Sequence, residues 1–221
     1  MREKQDCTPG NHAPPEARIL AAATHEFAAH GFYGARTQAI ADAAGVNKAM
    51  LHYYFRSKEN LYSHVIKGAL QRILTQVGRA WFSEGSLDDR LKMVIDSYMD
   101  NYQENPGFLK IILREIVDGG DRFRRTFSQL EDIATVTPGF RPQEALSSVA
   151  EELGLTPLEA THMVVNLIGM CVISFISPLF LEALLDFDLS HFEGFLKQRR
   201  AAIKAMVLAS TAPLRAGAHK E

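Results

Sequence analysis

Residues 37–61 decide the fold, and they read TQAIADAAGVNKAMLHYYFRSKENL. Two short amphipathic segments, residues 38–44 and 48–55, are separated by a link in which Gly45 permits a sharp reversal of the chain. Ala41 and Ala44 are small enough to let the two segments pack closely against each other. The stretch is therefore predicted to form a helix-turn-helix.

The polar residues of this stretch mark the helix starts. Thr37, Asn47 and Ser57 are predicted N-caps. Lys48 and Lys58 each follow a cap, where a cation opposes the helix dipole at a cost of about 0.3–1 kcal/mol. An anionic ligand such as a DNA phosphate would make the same position favourable, because the helix N-terminus and the lysine would both attract it. The alternative for Lys58 is a solvated surface lysine without a ligand.

The second helix of the motif is predicted to have two faces. Leu51 and Phe55 are spaced to point into a core. The three successive rings of His52, Tyr53 and Tyr54 cannot all be buried on so short a helix. At least one of them is expected to be exposed, where an aromatic hydroxyl can contact a phosphate.

Helical periodicity continues on both sides of the motif, and no convincing strand pattern appears in the 221 residues. The predicted fold is all-α, an N-terminal three-helix bundle with the helix-turn-helix followed by a C-terminal helical domain. The predicted domains are a disordered arm (1–14), a helix-turn-helix domain (15–67), a second helical domain (68–211) and a flexible tail (212–221).

Composition excludes several classes of protein. The net charge of −2 excludes a globally basic chain, although residues 1–67 hold eight Lys and Arg against six Asp and Glu. Two cysteines, Cys7 and Cys171, cannot form a disulfide framework or a four-cysteine zinc site. No catalytic or metal-ligand motif is found, so we expect no enzyme activity, no metal and no cofactor. The N-terminus lacks a signal-peptide pattern, and we expect a cytoplasmic protein.

Residues 160–181 are long and apolar enough to be considered as a transmembrane helix, because these 22 residues contain no Asp, Glu, Lys or Arg. His162, Asn166 and Pro178 interrupt the apolar run, and no basic cluster flanks it. A helix buried on most sides is therefore favoured over a transmembrane helix, and no membrane partner is expected.

The helix-turn-helix and its flanks resemble the N-terminal domain of the tetracycline-repressor (TetR) family of bacterial transcription regulators. The resemblance covers roughly residues 15–67. It rests on these positions at fixed spacing: Phe27, Gly31, Thr37, Ile40, Ala41, Ala44, Gly45, Val46, Leu51, Phe55, Ser57, Lys58 and Leu61.

The resemblance implies a double-stranded DNA operator as partner and assigns roles to individual residues. Thr37, Tyr53, Tyr54 and Lys58 would contact phosphates, and Gln38, Lys48, Ala49 and Met50 would face base edges. The sequence departs from the family at His52, where a tyrosine is usual, so a different contact to the backbone is expected there.

The resemblance also implies an effector pocket and a homodimer. The expected pocket is apolar, with Tyr98, Tyr102, Phe108, His162, Asn166 and Met170 as candidate lining residues for a small-molecule effector. His162 and Asn166 share a helix face, and either the pocket or the dimer interface accounts for them. Two helices, residues 156–177 and 189–210, are apolar over more than one face, which predicts a dimer. Its candidate contacts are Val165, Ile173, Phe192, Leu196, Ile203 and Val207.

Release of a near-palindromic operator on effector binding is the expected mechanism. Repression is the commoner mode in the family, and activation is the alternative. The sequence also leaves open a redox sensor acting through Cys171 or Cys7, and a helical enzyme.

Overall fold

A computed structural model describes residues 13–128, 142–176, 178–186 and 188–218. Within these ranges every regular element is helical, which confirms the all-α fold. The helices are α1 (Pro15–Gly34), α2 (Thr37–Ala43), α3 (Lys48–Phe55), α4 (Lys58–Trp81), α5 (Leu87–Glu104), α6 (Pro106–Val117), α7 (Asp121–Ser128), α8 (Pro142–Leu153), α9 (Pro157–Ile176), α10 (Pro178–Leu185) and α11 (Phe192–Ala218), with a 3₁₀ turn at Leu189–His191 before α11.

Local sequence explains most helix boundaries. Pro15, Pro106 and Pro157 stand at first helical positions, where the missing N–H costs no intrahelical bond. Thr156 and Glu159 form a reciprocal cap: each side chain accepts a hydrogen bond from the other residue's backbone N–H. These residues therefore account for the starts of α1, α6 and α9.

Gly31 kinks α1 with a φ of 68°, and the helix continues to Gly34. Two boundaries differ from the prediction. Thr37 is the first residue of α2 and not its N-cap, because Arg36 occupies the capping position without a side-chain hydrogen bond. Helix α11 runs on to Ala218, past the predicted start of the tail at residue 212, in a stretch where alanine recurs. Residues 1–12 of the predicted arm lie outside the described residues, and so do residues 129–141.

Backbone proximity divides the chain into two compact units. Among the described residues, the first comprises 13–70 and 107–128, and the second comprises 71–106, 142–176, 178–186 and 188–218. The predicted 15–67 domain falls within the first unit, which also contains α6 and α7 from beyond it. The domain boundaries themselves stay a prediction.

An aromatic core holds the first unit together. Phe27, Phe55 and Tyr62 are almost completely buried among aliphatic side chains of α1, α2 and α4. The rings of Phe27 and Tyr62 meet edge to face with centroids 4.7 Å apart, and the ring of Phe32 lies 5.1 Å from Tyr62. This core is the platform on which α2 and α3 rest.

The second unit is a bundle in which α5, α8, α9 and α11 pack on one another. Ile95, Cys171 and Ile203 are fully buried and come from three of these helices. Between α5 and α11, Arg200 and Lys204 approach Asp96 with nitrogen–oxygen distances of 3.2 and 2.7 Å. These partly buried ion pairs link the two helices.

Among the described helices, Pro157–Ile176 has the length and apolar composition to cross a membrane, and 22% of its most apolar window is buried in the chain. Core helices of soluble proteins share this length and composition but are mostly buried. The prediction that this helix is buried on most sides is wrong for the single chain, in which the buried positions of the helix are Ala160, Leu167, Cys171 and Ser174. Its contacts with α5, α8 and α11 are those of a bundle helix.

Candidate nucleic-acid interface

The turn between α2 and α3 has the geometry that the sequence predicts. Gly45 adopts a φ of 63°, a value that an L side chain rarely takes. The Val46 N–H donates to the Ala41 carbonyl at 3.0 Å and closes the turn. The Asn47 Oδ1 then accepts a hydrogen bond from the Met50 N–H at 2.7 Å, which confirms Asn47 as the N-cap of α3.

Helix α3 buries one face and exposes the other. Leu51 and Phe55 are buried, as predicted. The remaining side chains are all exposed: Lys48, Ala49, Met50, His52, Tyr53 and Tyr54. Tyr53 keeps 68% of its surface exposed although its ring lies 5.5 Å from that of Tyr54. The exposed face therefore offers a cation, an imidazole, two phenols and two apolar side chains on one short helix.

Helix α2 contributes two further predicted residues. Thr37 is half-buried at the first position of the helix, and Gln38 is exposed in the next position. The Gln38 amide donates to Asp42 Oδ1 at 2.8 Å, an i, i+4 pair along the helix surface. A base contact by Gln38 would need this amide to leave Asp42.

The N-terminus of α4 lies beside the end of α1. Ser57 caps α4, since its Oγ accepts from the Asn60 N–H at 3.1 Å. Lys58 donates to the Tyr33 carbonyl at 3.3 Å, and its ammonium lies 5.1 Å from the centroid of the Phe32 ring. Lys58 is thus a half-buried, oriented cation, which argues against a freely solvated lysine.

A buried carboxylate is hydrogen-bonded to α4. Glu115 of α6 is 1% exposed, and the Tyr62 hydroxyl donates to its Oε2 at 3.1 Å. The Arg122 and Phe123 N–H groups donate to its Oε1. The Arg122 guanidinium lies 3.3 Å from Oε2 and 4.3 Å from the Phe32 ring centroid. Burial and the neighbouring carboxylate raise the pKa of Tyr62, so its phenol stays protonated as the donor.

Sequence analysis missed this cluster. The available signal was a single carboxylate, Glu115, in line with Phe108 and Ile111 on the apolar face of α6. A charge on such a face requires a buried partner, and Arg122 supplies it from α7. Two cations, Arg122 and Lys58, thereby contact the Phe32 ring.

In the second unit, two of the predicted pocket residues meet. The rings of Tyr98 and Tyr102 lie 6.0 Å apart, and Phe175 lies 5.8 Å from Tyr102. Burial raises the pKa of Tyr98 to about 12 and that of the Cys171 thiol to about 12. These groups are neutral at physiological pH, so they form an apolar cluster with phenol and thiol groups in it.

The other four candidates for the pocket do not join this cluster as expected. Phe108 is buried within the first unit. His162 and Asn166 are exposed on α9. Met170 is half-buried, and its carbonyl accepts from Arg199 Nη2 at 3.2 Å. Arg199 therefore brings a cation from α11 to a helix that has none in its apolar stretch.

The candidate dimer residues fall into two groups. Val165 and Ile173 are 59% and 49% exposed on α9, and Phe192 is half-buried. Leu196, Ile203 and Val207 are buried within the chain itself and have no surface to offer a partner. Helical periodicity cannot tell an inward apolar face from an outward one when both faces of a helix are apolar.

Within the described ranges, no group of three His, Cys, Asp or Glu side chains is placed to hold a metal ion.

Comparison with known proteins connects this geometry to a family. Residues 19–65 match the family described as bacterial regulatory proteins, tetR family. The chain is 31% identical over 94 residues to the HTH-type transcriptional activator FasR of Mycolicibacterium smegmatis, covering 41% of this chain and 43% of FasR. It is 50% identical over 52 residues to the HTH-type transcriptional regulator RutR of Escherichia coli K12, covering 24% of each chain.

The matches to these curated relatives thus span less than half the length of either protein. The fold likeness is more extensive. A tetR family transcription regulator from Shewanella sp. PV-4 superimposes with a TM-score of 0.64 at 18% identity, over 90% of this chain and 98% of that one. The relatives are named as transcription regulators and not as enzymes. Residues 19–65 thus match the helix-turn-helix domain of the tetR family of bacterial regulatory proteins, and the described helices share the all-α fold of a tetR family regulator.

Proposed function

We propose that the chain is a sequence-specific DNA-binding transcriptional regulator that reads its operator with the exposed face of α3. The observation that supports this proposal most directly is that α3 has one buried face and one exposed face. Its two core side chains, Leu51 and Phe55, are buried, and every other side chain is exposed. A rigid short helix with hydrogen-bonding groups on its open face fits the major groove of B-DNA.

The proposed contacts divide into phosphate and base contacts. Thr37, Tyr53, Tyr54 and Lys58 bind phosphates and set the position of α3 on the duplex. Lys48 donates to guanine O6 or N7 and Gln38 pairs with adenine, while Ala49 and Met50 face thymine methyl groups. His52 donates one further hydrogen bond to the DNA backbone.

The proposed active form is a homodimer formed through α9. The exposed face of this helix carries Leu158, Val165, Ile173 and Ile176, all with a large part of their surface open to solvent. Apolar surface of this kind on one helix favours burial against a second copy around a two-fold axis. His162 and Asn166 lie on this exposed face, which favours the interface over the pocket for both. A two-fold dimer presents two copies of α3 and reads a near-palindrome.

The proposed effector is a small, largely apolar molecule held near Tyr98, Tyr102 and Phe175 in the second unit. The aromatic rings supply apolar contact, and the phenols supply the few polar anchors that such sites use. Effector binding lowers the affinity for the operator, so the regulator acts as a repressor; activation is the alternative mode. The raised pKa of buried Cys171 leaves almost no thiolate and argues against redox sensing at this residue. The proposed place of action is the cytoplasm, where the operator is.

The test is selection of duplexes from a random DNA pool at fixed moderate salt. The protein is unfolded and refolded beforehand, so that any effector retained during purification is removed. Enrichment of a near-palindrome with two half-sites about one helical turn apart is the expected result. If the refolded protein, with its helical circular dichroism restored, enriches no sequence at any salt concentration, the proposed function is wrong.

A further inference from the structure

The link between α3 and α4 is a single tight turn centred on Arg56. This residue has a φ of 61° and a ψ of −48°, and the Ser57 N–H donates back to the Phe55 carbonyl at 2.6 Å. An i to i+2 hydrogen bond around a residue with these angles defines a γ-turn of the rare, strained type. The turn therefore forces an arginine into a conformation that suits glycine.

Neighbouring hydrogen bonds hold the strained turn in place. The Arg56 N–H donates to the His52 carbonyl at 2.9 Å, and the Asn60 side-chain amide donates to the Phe55 carbonyl at 2.9 Å. Among described residues other than glycine, Asp186 is the one other with a positive φ. Such strain persists where the surroundings over-determine it, and it concentrates at functional sites.

The side chain of Arg56 makes few contacts within the described part of the chain. It is exposed, and its guanidinium carbon lies 5.9 Å from the centroid of the Tyr53 ring, one helical turn earlier. No carboxylate of the described residues forms an ion pair with it. Its position after the last turn of α3 does place a cation at the favourable end of the helix dipole.

The dipole does not account for an arginine at this position. A strained non-glycine residue disfavours the folded state by roughly five- to a hundredfold. A cation at an exposed helix end returns only about two- to fivefold. Glycine would fit the turn with less strain, so the turn and the dipole give no reason for an arginine at this position.

We propose that Arg56 is a DNA-contacting residue that binds a backbone phosphate next to the one held by Tyr53; this rests on the proposed function. The planar guanidinium donates to two phosphate oxygens, and the Tyr53 ring beneath it restricts the directions it can take. The γ-turn aims the side chain along the exposed side of α3, where Tyr53 also lies. Arg56 adds affinity for every sequence and reads no base.

Arg56→Gly separates the functional role from a structural one, because the two roles predict opposite results. The variant loses the phosphate contact and the strain together. We expect roughly five- to tenfold weaker operator binding, with the slope of log Kd against log salt smaller by about one unit. We also expect a midpoint of thermal unfolding that is unchanged or about 1–3 °C higher.

Two further variants complete the experiment, which uses the full chain and an operator obtained by selection. Arg56→Lys keeps the charge and should retain the salt slope while losing the bidentate contact. Lys110→Ala removes an exposed cation on α6 of the same unit and controls for net charge, with no change of slope expected.

The outcomes separate this proposal from the one it rests on. Wild-type affinity and salt slope in the Arg56→Gly variant, with normal binding by the wild type, would overturn the proposed contact and leave the proposed function standing. A lower unfolding midpoint with an unchanged slope would show a purely structural residue. Failure of the wild type itself to select any duplex would overturn both.

Discussion

Helices α3 and α9 each bury one face inside their own unit and leave the other open, but the two open faces differ in chemistry. The open face of α3 carries Lys48, His52, Tyr53 and Tyr54, which can donate hydrogen bonds. The open face of α9 carries aliphatic side chains such as Val165 and Ile173. A face rich in donors suits phosphates and base edges, whereas an aliphatic face suits another aliphatic face.

The comparison shows that exposure alone does not identify a partner. Helix α3 is only eight residues long and is fixed by a cap, a glycine turn and two buried anchors. Helix α9 has 20 residues and packs against α5, α8 and α11. A short helix held rigidly in place suits the recognition of base edges in a DNA groove. A stable interface between two copies instead requires an extended face.

The largest effect is expected from a charge on the open face of α9. Val165→Glu should raise the dissociation constant of the dimer at least about 100-fold, because two symmetry-related carboxylates would be buried without partners. Sedimentation equilibrium across a concentration series measures it. Val117→Glu is the matched control: Val117 is 85% exposed in the first unit, and the same substitution there should leave the mass unchanged. A Val165→Glu protein that stays dimeric would show that this face of α9 is not the interface.

The next largest effect concerns base reading by α3. Lys48→Ala should reduce discrimination at one base pair of each half-site by about 1–3 kcal/mol and leave the other positions unchanged. Repeating the duplex selection with the variant shows the change directly. An identical consensus for the two proteins would mean that Lys48 does not read a base.

A smaller effect, on the free energy of unfolding, is expected from removing the hydroxyl of a buried tyrosine in each unit. Tyr62→Phe removes the donor to buried Glu115 and should lower the free energy of unfolding by about 1–2 kcal/mol. Tyr102→Phe in the second unit should change it by less than about 0.5 kcal/mol, because within the described ranges the Tyr102 hydroxyl makes no hydrogen bond. Urea titrations of both variants test the difference, and equal losses would contradict it.

The smallest effect is expected at Lys58. Lys58→Ala should weaken binding to all duplexes alike, by about threefold to tenfold, and reduce the salt slope by about one unit. Fluorescence anisotropy at several salt concentrations measures both. A changed sequence preference with an unchanged slope would mean that Lys58 reads a base and does not bind a phosphate.

The sequence predicted the helix-turn-helix well because its signals are local. Gly45, Asn47 and Ser57 act on their immediate neighbours, and each does in the structure what its residue type favours. The exposure of the α3 side chains followed from the spacing of Leu51 and Phe55.

The parts that sequence reasoning missed depend on contacts between distant residues. The pairing of Glu115 with Arg122 and Tyr62 joins three helices, and no periodicity reveals it. The burial of Leu196, Ile203 and Val207 follows from how α11 packs against α5, α8 and α9. The γ-turn at Arg56 was missed for another reason, since its residue type argues against a positive φ.

The most direct test of the central claim, that the open face of α3 meets the bases of an operator, is site-specific cross-linking. A photoreactive side chain is introduced in place of Met50 on that face, and in a separate protein in place of exposed Lys110 on α6. Each protein is irradiated with the selected duplex, and the cross-linked nucleotides are mapped. We predict cross-links to bases inside each half-site from position 50 and none from position 110. No cross-links from position 50, or equal cross-linking from both positions, would contradict the claim.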